Sequence, residues 1–250
     1  MVHNNIYFHS GGFPAMNQFI GSIEEIISNK DDFSANPNFY GCSAGAGYAL
    51  VCYLVFHGYV PIEVVERNTY AVFDKERPIS MIVTSIYCDL MDEQIKYWPK
   101  NLYELVSGVL HIGVSTQCGF KWINKFESNY DIYNALMCGG TIVGFTSYES
   151  KIDGIVCLDG AYQFTYSYIP DDCLCIHIPQ SYAALFIPPT IIRPYFVSQG
   201  RDKVRYNIKP QILPNDLFST IFIDMMFTIH SQCIPDPKWD KHIRSVCLKK

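Results

Sequence analysis

One pentapeptide restricts the folds open to this chain. Gly41-Cys42-Ser43-Ala44-Gly45 closes an apolar run and opens a long apolar helix only about forty residues from the N-terminus. A G-x-S-x-G sequence in that setting calls for a sharp strand-to-helix turn. Small residues two before and two after the serine let the backbone double back, and the hydroxyl stands out on a strained elbow. Ala44 and Gly47 relieve the crowding further. The helix predicted over residues 44–57 starts at the serine, so its unpaired N–H groups and positive dipole end face any negative charge developing there. Ser43 is therefore a candidate nucleophile, with Gly41 and Gly45 as the glycines of its elbow.

Two other segments fit the same site. Residues 5–13 read Asn-Ile-Tyr-Phe-His-Ser-Gly-Gly-Phe, a short strand ending in small residues before a helix that starts near Pro14. The amides of Gly11 and Gly12 can face an oxyanion there, because glycine turns freely and puts no side chain in a substrate's way. Residues 155–161 read Ile-Val-Cys-Leu-Asp-Gly-Ala, an apolar strand that delivers the Asp159 carboxylate at its C-terminal edge, where open α/β sheets keep their ligands. Gly160 completes that Asp-Gly motif.

With these three motifs in this order and at this spacing, the chain resembles the patatin-like phospholipases. The resemblance covers roughly residues 5–180, including the stretch from Leu110 to Ser115 and the run from Asp131 to Gly144. It implies a Ser-Asp dyad without histidine, with Ser43 as nucleophile and Asp159 as its partner. It also implies carboxylic ester hydrolysis on phospholipids, lysophospholipids or acylglycerols, with a lipid ester as the substrate partner, peripheral contact with a membrane or lipid-droplet surface, and no cofactor. The chain departs from the family pattern in three places. Ser10 to Ala15 lacks the basic residue of the family's glycine loop, which is similar to the neutral-lipid branch, and Pro14 removes a backbone donor. Ala161 replaces the commoner second glycine after the aspartate. The run from Gly139 to Gly144 lacks the family's proline-containing turn.

An aspartate in water, with a pKa of about 3.9, accepts a hydroxyl proton poorly. An apolar strand around it and an acyl chain that expels water are expected to raise that value and tighten its interaction with Ser43. In that scheme Ser43 attacks the ester carbonyl, the Gly11 and Gly12 amides hold the oxyanion, and Asp159 carries the proton to the leaving alcohol.

A chain of 250 residues suits one domain with a substantial core, and no linker, repeat or low-complexity tract divides it. The motif-bearing part ends near residue 180, and residues 181–250 change character. Charged residues make up 17% and aromatics 15%, which leaves a surface with exposed apolar area suited to an enzyme that works at an interface. A net charge of −5 argues against nucleic acid. Basic residues cluster at Arg201–Arg205 and 238–250, as solvated segments or as contacts for anionic head groups. The N-terminal residues lack the pattern of a secretory signal, and no segment reaches the roughly 18 apolar residues of a spanning helix. Ten scattered cysteines do not form a small disulfide framework. These features give the expectation of a soluble cytoplasmic protein. Cys42 reads as a packing residue.

No metal site is expected. Cys173, Cys175 and His177 alternate on one face of a predicted strand, with His230 and Cys233 downstream, but the C-x-x-C knuckles usual for zinc are missing. The apolar, proline-broken segment 183–192 reads as a buried loop or, alternatively, as a lid at the acyl pocket. His9, His57 and His111 fit packed or hydrogen-bonded positions, and His9 lies beside the glycine loop.

Strands are predicted at residues 6–8, 39–41, 111–115, 155–158 and 174–178. Helices are predicted at 15–28, 44–57, 61–73, 131–137 and 216–230, with 3.6-residue periodicity at Phe19, Ile20, Ile23, Ile26 and Ile27. Strands interleaved with helices imply an α/β fold, a three-layer α/β/α sandwich on a mainly parallel sheet. Two other functions stay open. One is a patatin-like protein that binds lipid after losing turnover. The other is an α/β-hydrolase triad that adds His177 or His230.

Overall fold

A computed structural model of the chain describes residues 2–10, 16–73, 82–142, 150–176, 201 and 204. Its framework is an α/β fold on a mixed sheet. The strands are β1 (His3–Phe8), β2 (Phe33–Cys42), β3 (Leu110–Thr116), β4 (Gly119–Ile123), β5 (Lys151–Ile152), β6 (Ile155–Asp159) and β7 (Cys173–Ile176). β7, β1, β2 and β3 run parallel, while β3 pairs antiparallel with both β4 and β6, and β6 pairs antiparallel with β5. The helices are α1 (Met16–Ser28), α2 (Ala44–Phe56), α3 (Ile62–Phe73), α4 (Ile82–Ile95), α5 (Leu102–Val106) and α6 (Asn129–Gly139).

Strand alternation sorts the core into two parts. On one face Ile6, Phe8, Phe39, Leu110, Ile112, Val114, Leu174 and Ile176 pack with the helices into one large cluster. α2 lies at its centre: every residue from Gly45 to Phe56 is buried, as befits a helix that is apolar all round. α1 turns the predicted stripe of Phe19, Ile20, Ile23 and Ile26 inward, each with no exposed surface. The opposite face carries Tyr7, Tyr40, Cys42 and Phe164, with Phe120, Trp122, Ile169, Cys173 and Cys175 against them. Tyr7 stacks on Phe164 at 5.0 Å between ring centroids, and Tyr40 stacks on His111 at 4.2 Å. Among the described residues, aromatic side chains and short 3-10 turns cover this second face. A second layer of helices, which a three-layer sandwich requires, is not among them.

The expected strands and helices within the described residues all form: β1, β2, β3, β6 and α6 run beyond the predicted bounds, while α2 and α3 are each one residue shorter. The predicted helix over 216–230 and the candidate lid 183–192 lie outside the described residues, as does the basic cluster 238–250. Arg201, from the other basic cluster, is engaged: its Nη2 lies 2.8 Å from Glu24 Oε2 on α1. α4, α5, β4 and β5 were not anticipated. No helix among the described residues is long and apolar enough to cross a membrane.

Candidate active site

β2 ends at Cys42 and α2 begins at Ala44, so a single residue makes the turn. That residue, Ser43, has φ 56° and ψ −136°, a left-handed conformation that costs a non-glycine residue on the order of 1–3 kcal/mol. The two glycines make the turn possible. A Cβ at Gly41 would lie 2.5 Å from the Ala46 Cα, and one at Gly45 would lie 2.5 Å from the His9 carbonyl oxygen. Strand β1, strand β2 and the first turn of α2 are thus pressed together at distances no side chain tolerates.

Serine at a helix N-cap ordinarily spends its hydroxyl on the backbone N–H groups of the first turn. Ser43 makes no such bond. Its hydroxyl is instead near enough to the Asp159 carboxylate to favour that group's ionised form. The first N–H groups of a helix have no carbonyl one turn back, so those of Ala44 and Gly45 border the hydroxyl as inherent donors. The Ala44 amide belongs to the unpaired N–H groups that the sequence leads one to expect at the start of this helix.

The register of β3 explains how Ser43 and Asp159 come together. Cys42 pairs with Gly113, and Asp159 pairs with the next residue, Val114. β4 pairs with Ile112 to Thr116 along one edge of β3, which leaves β2 and β6 end to end along the other. β2 runs up to this junction and β6, antiparallel, runs down to it. Two strand C-termini therefore meet head to head, and each chain turns away with its polar side chain at the gap. Asp159 thus ends a strand that runs against β3 in a sheet that is mixed and mostly parallel. The apolar strand expected to wrap the carboxylate is only partly buried as well: Ile155 is 40% exposed, whereas Cys157 to Asp159 are buried.

Asp159 is held from several sides. Its N–H donates to the Thr141 carbonyl at 2.9 Å. Its carboxylate accepts from the Ala161 N–H at 2.9 Å, which makes it the N-cap of the 3-10 turn Gly160–Tyr162. Gly160 packs so closely over the Gly113 carbonyl that a Cβ there would lie 2.6 Å from the carbonyl carbon. The Ser115 hydroxyl donates to the carbonyl oxygens of Asp159 at 2.9 Å and Gly160 at 3.3 Å. Only 4% of Asp159 is exposed, and burial pushes its pKa up to about 6 against the opposing pull of the Ser43 hydroxyl and the Ala161 N–H. Ser43 is 8% exposed.

The remaining candidates divide. Gly11 and Gly12 lie outside the described residues, as do His177, His230 and Cys233. His9 Nδ1 is 2.7 Å from the Tyr7 hydroxyl. His111 lies under Tyr40, and burial holds its pKa below the usual histidine value. His57 ends α2 and has its pKa lowered by burial and then by the nearby Lys30. Cys42 is fully buried and its thiol is pushed well above the usual range. Cys173 and Cys175 do share a face of β7, but among the described residues no three His, Cys, Asp or Glu side chains converge as a metal site requires. No family model, no curated protein and no solved structure matches the chain.

Proposed function

We propose that this chain is a serine acyl hydrolase of the patatin-like type, cleaving carboxylic esters of phospholipids, lysophospholipids or acylglycerols through Ser43 and Asp159. The observation that carries the reading is the meeting of the strained elbow serine with the buried Asp159 carboxylate where β2 and β6 end head to head, burial there pushing that carboxyl up to about 6. At neutral pH that carboxylate is mostly ionised yet far more basic than an aspartate in water, which suits it to accept a hydroxyl proton.

Ser43 attacks the ester carbonyl while Asp159 takes its proton. The tetrahedral oxyanion forms at the N-terminus of α2, beside the Ala44 amide, and the sequence adds Gly11 and Gly12, which lie outside the described residues, as further candidate donors. Collapse breaks the ester C–O bond, and the leaving alkoxide takes the proton from Asp159. Water then attacks the acyl-serine, gives its proton to Asp159 and frees the acid as Ser43 is reprotonated. Every proton is carried by Ser43, Asp159 or water, so the cycle calls for no cofactor. A Ser-Asp-His triad is disfavoured on a specific ground: among the described residues the side chain that acts on the Asp159 carboxylate is the Ser43 hydroxyl, where a triad would interpose an imidazole.

The same reading includes a three-layer patatin-like sandwich, a cytoplasmic setting and contact with a lipid surface. It is tested by incubating wild type, Ser43→Ala and Asp159→Asn with a panel of lipid esters. Both substitutions are expected to lower hydrolysis by several orders of magnitude, on the scale seen when a covalent catalyst loses its nucleophile. Hydrolysis that survives in folded Ser43→Ala rules the dyad out. A wild type that turns over none of the esters yet binds them favours a lipid-binding role.

A further inference from the structure

We infer that Ser115 is a positioning residue that fixes Asp159 for its exchange of protons with Ser43. The inference rests on the reading of Ser43 and Asp159 as a catalytic pair. Ser115 lies on β3 opposite Leu158, one residue beyond the junction where β2 and β6 meet. It has no exposed surface, and in a fully buried position a hydroxyl is retained only where it satisfies other polar groups.

Both of its acceptors belong to the turn that carries the base. One hydroxyl proton is shared between the Asp159 carbonyl at 2.9 Å and the Gly160 carbonyl at 3.3 Å. These two oxygens sit on consecutive peptide units, so a single donor fixes the direction in which the chain leaves β6. The Asp159 side chain is the N-cap of the 3-10 turn that follows, and its rotamer depends on where the Ala161 N–H is carried. Ser115 therefore acts on the carboxylate through the main chain: it sets the turn, the turn aims the Ala161 N–H, and that donor aims the carboxylate at Ser43. The antiparallel pairing of β3 with β6 fixes Cys157 to Asp159 but ends there, and Gly160 brings no side chain to anchor the bend.

Without this hydroxyl, two buried carbonyls lose a donor and the turn relaxes toward water. The base then gains solvation and loses its aim. A residue that merely supports the fold would lower the melting temperature of the protein and leave the ionisation of Asp159 where it was.

The experiment follows Asp159 directly by NMR of carboxyl-13C aspartate in the full chain, assigned by difference with Asp159→Asn. Hydrolysis of a lipid ester is recorded on the same samples. Wild type is expected to titrate at about 6. In Ser115→Ala the midpoint falls toward the ordinary aspartate value of about 3.9, and kcat falls at least tenfold with KM little changed. Ser115→Thr, which keeps the hydroxyl, restores both, while Ser115→Val, of the same shape, does not. That last pair decides the matter if the alanine variant fails to fold. A midpoint that stays with wild type in Ser115→Ala, or Val behaving as Thr does, overturns the inference while leaving the Ser43–Asp159 reading intact. The opposite failure is distinct: a midpoint that depends on Ser115 in a protein that hydrolyses no ester removes the catalytic reading and keeps Ser115 as the residue that places Asp159.

Discussion

At the scale of single residues, the feature that would suit Asp159 to the proposed catalysis carries a cost in stability. The pKa of Asp159 is raised from 3.8 to about 6 by burial. The folded state therefore holds its proton more tightly than the unfolded chain does. The resulting stability is fully present below pH 3.8 and is lost as pH rises through about 6. Asparagine accepts from the Ala161 N–H as aspartate does and never ionises. Asp159→Asn is thus expected to unfold at higher denaturant than wild type at pH 8, by a margin of at most roughly 3 kcal/mol for a shift of about two units. That margin shrinks to nothing near pH 4. Urea titrations at the two pH values check this, and a variant less stable than wild type at pH 8 counts against a buried, ionised base. Ser43 and Asp159 were legible in the sequence because each sits in a short pattern with its own backbone requirement. Ser115 was not, because a lone serine in an apolar strand has no signature until its acceptors are known.

At the scale of elements, the strand-elbow-helix unit is the most constrained part of the chain. Gly45→Ala drives a methyl group into the carbonyls of Phe8 and His9, and backbone atoms cannot swing aside as a side chain can. The expected loss is about 3 kcal/mol, the upper part of the range for overpacking, read as a lower urea midpoint. A midpoint within experimental error of wild type would mean that β1 and α2 are not in contact there. α6 offers a control away from the site. Its Ser128 side chain accepts from Asp131 N–H, and Asp131 returns the favour to the N–H of Ser128 in a capping box. Ser128→Ala is expected to cost about 1 kcal/mol with specific activity unchanged. The sequence expectations include neither of two hairpins, one of which carries a local signal and one of which does not. Asp153-Gly154 joins β5 to β6, with φ of 51° and 77°, the two-residue turn for which Asp-Gly is favoured. Gln117-Cys118 joins β3 to β4 and lacks such a signature. α4 was hidden by a mixed pattern with acidic residues in its second half, where burial against α3 and the main core outweighs a weak periodicity.

At the scale of the molecule, the sequence predicts an α/β fold because apolar strands and helices alternate along the chain. It does not predict that the sheet turns mixed beyond β3, and that reversal is what allows the end of β6 to meet the end of β2. Register and strand direction depend on contacts between distant segments, which no local pattern encodes. The aromatic second face was equally unreadable, since Tyr7, Tyr40, Trp122 and Phe164 come from four separate segments. The result is a junction on the β3 edge where a strained serine and a desolvated carboxylate are brought together by a core packed on both sides of the sheet. The central claim is that this juxtaposition makes Ser43 a nucleophile, and mass spectrometry of the protein treated with a fluorophosphonate tests it most directly. The account predicts one adduct per chain, located on Ser43, forming more slowly as pH falls below about 6 with the protonation of Asp159, and absent from Ser43→Ala. An unmodified Ser43 in folded protein, or labelling indifferent to both substitution of Asp159 and pH, would contradict it.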